Sequence, residues 1–181
     1  PGYMSWDSAY QWWQARHASY NTVHPPLIAM IWRLCEQVLP GPDGIFLLQT
    51  SLLWASLAGI AVSLQRPVWQ QCLLVLLLGF WPPLFGLSLH IWKDIWTMLA
   101  FAWATAWLLK DLRQPSRTLR GFALLALVAA CAFRHNAITG ALPFLFWIAH
   151  RENIGRTIPL SLPRKIALTV LLCVSTLGLA K

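Results

Sequence analysis

Five apolar runs separated by short polar loops dominate this chain, at 45–64, 72–89, 95–109, 121–133 and 141–149, and a further one begins at Ile166. A run of about 20 apolar residues matches, as a helix, a hydrocarbon layer roughly 30 Å thick. Composition agrees: 11% of the 181 residues are charged and 57% are hydrophobic, with a mean hydropathy of +0.55. A soluble domain carries roughly a quarter charged residues. The expectation is an all-α membrane protein, a polytopic bundle of about six spans over 45–181 with the last one truncated.

The net charge of +8 does not point to nucleic acid. The basic residues collect in short loops between apolar runs, the pattern of cytoplasmic loops in a membrane protein. Taking loops 65–71, 110–120 and 150–165 as cytoplasmic places 1–44, 90–94 and 134–140 on the outer side. Lys and Arg alone set that alternation. It gathers Asp7, His24, Lys93, Asp94, Arg134, His135 and Asn136 at one face of the membrane. The remaining basic residues read as topology signals.

Cys35, Cys72, Cys131 and Cys173 form no C-x-x-C pair and most lie in apolar runs, so small buried hydrophobes are expected rather than a disulfide framework or a metal site. The chain starts without Met or a signal peptide, in a polar loop, and stops inside an apolar run. It reads as a fragment of a longer protein, lacking at least one helix before Pro1 and more after Lys181.

Residues 1–44 form an outer-side segment of interfacial helices. Trp6, Tyr10, Trp13, His17 and Tyr20 recur at helical spacing. Asp7, Gln11, Gln14, Ala18 and Asn21 make a second stripe. The pattern predicts a helix lying in the interface, aromatics toward lipid and polar groups toward an aqueous site. Asp7 or Ser8 can cap it, with Gln11 completing a capping box for Ser8. A short apolar helix over 26–39 and a turn at 40–44 follow.

The polar residues at this level carry the chemistry. Asp7 can serve as an N-cap. That is the default reading, and a compatible role is for its carboxylate to accept a proton from an attacking hydroxyl. His24-Pro25-Pro26-Leu27 is a rigid turn with one titratable ring. Lys93 and Asp94 can neutralise one another at a boundary where charge is costly, or divide between a phosphate and an acceptor or metal. Arg134, followed by His135 and Asn136, can be a snorkelling anchor or a fork for two phosphate oxygens. Gly-rich phosphate loops, G-x-S-x-G, H-E-x-x-H and zinc spacings are all missing. The tryptophans at 92, 96, 103 and 107 suit lipid or core better than a sugar platform.

On these residues the chain resembles the GT-C superfamily of integral-membrane glycosyltransferases, on the protein O-mannosyltransferase and aminoarabinose-transferase side (glycosyltransferase family 39). Asp7 and His24-Pro25-Pro26-Leu27 look like that group's first-loop acid and [HK]-P-P turn. Asp94 is similar in place to its second acid, and Arg134 to a basic residue near the outer end of a later helix. Where the family often has a second acid beside the first, this chain has Ser8.

The resemblance implies inverting transfer from a polyprenyl-phosphate sugar to a lipid, glycan or protein acceptor. It makes Asp7 the general base and assigns the phosphate to Arg134 and Lys93. His24 and Asp94 would shape the acceptor or a metal site, with His135 and Asn136 beside them in the substrate-binding group. No cofactor is required by the motifs, and a divalent metal stays open. The location implied is a bacterial inner (plasma) membrane, among membrane lipids, with the site facing the periplasm or exterior. Two other classes fit the same composition: a transporter or flippase for a lipid-linked or anionic solute, with Pro82-Pro83 breaking a helix on its pathway, and a catalytically inactive membrane scaffold.

Overall fold

The computed structural model of the chain describes residues 2–21 and 25–154. His24, Cys173 and the apolar run from Ile166 lie outside the described residues. Of the described residues, 80% are helical, in eight helices. In chain order these are α1 (Trp6–His17), α2 (Leu27–Val38), α3 (Asp43–Ser63), α4 (Val68–Gly79), α5 (Pro82–Ser88), α6 (Lys93–Arg113), α7 (Arg117–Phe133) and α8 (Ala137–Ile154). Two short strands, β1 (Tyr3–Met4) and β2 (His90–Ile91), pair in parallel, with Tyr3 opposite His90.

The helices occupy the apolar runs, and the differences have local causes. The run 72–89 is two helices, α4 and α5, bent by 67°. Pro82 and Pro83 have no N–H to continue α4, and Pro82 sits in the first turn of α5 where none is needed. Among the described residues, α3 alone is long and apolar enough to cross a membrane; α4 and α5 meet the same standard as a bent pair. α6 has the length of α3, but its Trp and Thr residues and terminal charges dilute its apolar character. The outer-side loop expected at 134–140 is mostly helix, because α8 starts at Ala137. Gly140 belongs to packing: a Cβ there would lie 3.1 Å from the Phe101 ring.

α6 is the central helix, packed against α3, α7 and α8, and its contact with α7 is the most extensive in the fold. That contact is built on small residues. Ala104 of α6 and Ala123 and Ala130 of α7 are completely buried, with Ala141 of α8 behind them. Small side chains let helix backbones approach closely and gain dispersion contacts. Gly79 does the same between α3 and α4, since a Cβ there would meet the Trp54 ring at 2.4 Å.

The core is mainly apolar, built on residues such as Ile28, Trp32, Ile45, Leu108, Leu127 and Leu145, but it also encloses polar side chains while large apolar ones stand outside. Gln11, Gln14, Gln49, Ser56 and Asp111 are inside, whereas Leu73, Leu76, Leu77, Phe80, Phe85, Leu125 and Phe146 are exposed. In α4 only Gly79 is buried, although the helix is apolar on every side.

The largest departure from the sequence reading is at the basic end. Arg120 and Arg151 serve as more than topology signals. Asp111, wholly buried, accepts from Arg120 Nη1 at 2.8 Å and from Arg151 Nε at 3.1 Å. The Ser116 N–H donates to it at 2.7 Å, and Arg151 Nη2 also donates to the Asp111 carbonyl at 2.8 Å. One carboxylate thus fastens α6, α7 and α8 together. Removing one member of a buried ion pair leaves uncompensated charge and costs about 3–5 kcal/mol. Asp111→Asn is therefore expected to lower stability by that amount in thermal unfolding of the purified protein. A loss below about 1 kcal/mol, the worth of an exposed pair, would contradict the role given to Asp111.

Candidate functional site

The candidate site lies at the opposite end of α6. Asp94 and Asp111 are 17 residues apart on that helix, which is about 25 Å along its axis. The rim is assembled in three steps. First, β1 pairs with β2, and the Tyr3 N–H donates to the Leu89 carbonyl at 2.9 Å. This brings the N-terminal segment to the loop before α6. Second, Gln49, buried in α3, donates through Nε2 to the His90 carbonyl at 2.8 Å and the Ser88 carbonyl at 3.3 Å. Third, the Ser8 hydroxyl donates to the Ile91 carbonyl, locking α1 to β2.

The cap of α1 is Ser5, not Asp7 or Ser8. Its hydroxyl accepts from the Ser8 N–H at 3.3 Å. Gln11 completes no box for Ser8: it is buried, and its amide nitrogen has no acceptor. Asp7 instead stands in the first turn, where a carboxylate interacts favourably with the helix dipole. Its side chain reaches across to α6, with Oδ2 at 3.4 Å from Lys93 Nζ. Next to Lys93, Asp94 accepts from Arg134 Nη1 at the end of α7. Two neighbouring residues of α6 therefore bind one charged partner from α1 and one from α7.

The rest of α1 is held by α2. Glu36 accepts from the Trp12 indole N–H, the Gly41 N–H at 3.0 Å and the Arg16 guanidinium at 3.5 Å. Gly41, at φ +95, makes the turn that returns its N–H to Glu36. Ser8, Gln11, Gln14 and Ala15 face inward, while Trp6 and Trp13 face out. The aromatic stripe points away from the protein, as expected, whereas the second stripe is divided: Gln11 and Gln14 are packed inside, Asp7 is half-exposed at the rim, and Ala18 and Asn21 are exposed.

Asp7, Lys93, Asp94 and Arg134 are thus brought together on one rim. His135 and Asn136 follow Arg134 with both residues exposed, and their backbone carbonyls start α8: His135 accepts from the Ile138 N–H at 3.4 Å and Asn136 from the Thr139 hydroxyl at 2.9 Å. His24 lies outside the described residues. Among the described residues no three His, Cys, Asp or Glu side chains gather as a metal-binding group; Asp7 and Asp94 each face a cation instead. Cys35, half-buried in α2, has its thiol pushed above the ordinary value by burial, which disfavours a reactive thiolate.

Sequence reasoning did not single out Ser5, Gln49 or Glu36. Gln49 had a signal, being an amide within an otherwise apolar run, where polar groups are costly and tend to be functional or structural. No family model, curated protein or solved structure matches this chain.

The rim ion pairs are half-exposed, with side-chain exposures of 23% and 45% for Lys93 and Asp7 and 35% and 47% for Asp94 and Arg134. Such pairs contribute about 0–1 kcal/mol. In a double-mutant cycle, Asp94→Asn and Arg134→Gln should couple by less than about 1 kcal/mol in unfolding stability. A larger coupling would make the pair a fastening like the one at Asp111.

Proposed function

We propose that the chain forms part of a membrane-embedded glycosyltransferase of the GT-C type, transferring sugar from a polyprenyl-phosphate donor to a hydroxyl acceptor at the outer face of a bacterial plasma membrane. The observation that carries this reading is the meeting of Asp7, Lys93, Asp94 and Arg134, from three separate helices, on one rim. The membrane placement is supported by the outward apolar side chains of α3, α4 and α7 combined with buried amides and a buried carboxylate. The transporter reading is less favoured, because the charged clusters sit toward the two ends of α6 rather than at its middle.

In this reading the acceptor oxygen attacks the anomeric carbon as the bond from that carbon to the phosphate oxygen breaks. The bonding pair leaves with the phosphate, and Asp7 takes the hydroxyl proton. Lys93 and Arg134 hold the phosphate, on which charge grows in the transition state. At 3.4 Å the Lys93–Asp7 contact is longer than the 2.7–2.9 Å of a tight charge-assisted bond. An arriving phosphate draws Lys93 away and frees the Asp7 oxygen to act as base. Donor binding and base activation are coupled through one side chain. Asp94 keeps Arg134 turned toward the rim.

The test is Asp7→Asn in the full-length protein reconstituted in lipid, following sugar release from a polyprenyl-phosphate sugar. Loss of a general base lowers turnover about 10²- to 10⁴-fold, and donor binding should persist. Unchanged turnover would remove Asp7 from the chemistry.

A further inference from the structure

We infer that a crevice between α3, α4 and α6, at the basic end of the bundle, binds an anionic glycerophospholipid with its phosphate at Lys110 and Arg113. The crevice is a cavity of about 550 Å³. Its wall is apolar, where Gly59 of α3 faces Ala106 and Trp103 of α6. Its mouth holds Lys110, Arg113, Gln65 and Gln114, all exposed. A second cavity of about 480 Å³ continues from it along α3 and α4, shares Ala58, Val62 and Gln71 with the first, and is otherwise lined by Trp54, Ala61, Cys72, Val75 and Leu76. A cationic mouth leading into an apolar groove matches a molecule with an anionic head and an acyl chain.

Three further observations favour that occupant. Neither Lys110 nor Arg113 forms an ion pair with a described residue, because the nearby acid, Asp111, is buried and taken by Arg120 and Arg151. Gln71 and Gln114 add amide groups at the same mouth, able to hydrogen-bond a polar headgroup. Gln65, at φ +52, occupies a left-handed conformation that non-glycine residues seldom adopt, and its amide oxygen accepts from Arg113 Nη1 at 3.2 Å. The mouth is therefore built to keep a guanidinium at its edge. Basic pockets between membrane helices on the positive side are suited to lipid phosphates.

This inference rests on the membrane placement proposed above and not on the transferase reading. The full chain would be reconstituted in vesicles of equimolar phosphatidylcholine and phosphatidylglycerol, extracted in mild detergent, and its retained lipid identified by native mass spectrometry. The wild type should retain phosphatidylglycerol over phosphatidylcholine. Lys110→Gln with Arg113→Gln should reduce that preference about 30-fold, each surface cation contributing a factor of about five. Lys110→Arg with Arg113→Lys should keep it, and Ala58→Trp, which fills the groove, should lower retention. An unchanged preference in the double Gln variant would overturn the inference. So would an equal loss in Arg33→Gln, which removes a charge from α2 outside the crevice. Insertion without lipid preference would overturn this inference alone, whereas failure to insert would overturn the membrane placement as well.

Discussion

Lys93 and Asp94, adjacent at the start of α6, are the junction on which the candidate site depends. One faces the carboxylate of α1 and the other the guanidinium at the end of α7. Neither pair is strong as a fastening at its degree of exposure. Their positions are instead imposed by neutral contacts: the β1–β2 pairing, the Ser8 bond to Ile91 and the Gln49 bonds to the loop before α6. The charges are thus free to exchange partners while the backbone that carries them stays in place. That division suits a site where an incoming anion must compete for the cations.

The other end of the bundle follows the opposite rule. Asp111 is fully enclosed and holds two arginines from two helices. A buried charge set is tolerable only when each member is paired and hydrogen-bonded, and Asp111 also receives a backbone N–H. α6 therefore carries a tight polar lock at one end and an exchangeable polar rim at the other. Between them run alanines that let α7 and α8 pack closely.

Much of this arrangement was legible in the chain itself. The apolar runs located the helices, and the Pro82-Pro83 pair marked the bend between α4 and α5. The alternation of basic loops placed Asp7, Lys93, Asp94 and Arg134 at one end. Other features depend on contacts that local patterns do not carry. Ser5, Asp7 and Ser8 are all competent caps; Ser5 takes the role, while Ser8 reaches β2 and Asp7 reaches α6. Asp111 lay within the basic loop 110–120 and was not singled out, because its burial depends on Arg120 and Arg151 arriving from α7 and α8. Gly140 lay in the loop expected at 134–140 but sits in α8, close against the Phe101 ring.

The convergence of the N-terminal segment on the start of α6 is most directly tested by cross-linking across β1 and β2. Tyr3 and His90 are partners in the pairing. In the full chain, freed of its native cysteines and kept in lipid, Tyr3→Cys with His90→Cys should form a disulfide rapidly, because paired strand positions fall within the Cα separation that a disulfide spans. A control of Tyr3→Cys with Gln114→Cys, at the opposite end of α6, should not. Failure of the first pair to cross-link while both thiols remain reactive would mean that Asp7 does not reach Lys93, and the rim as described would not exist.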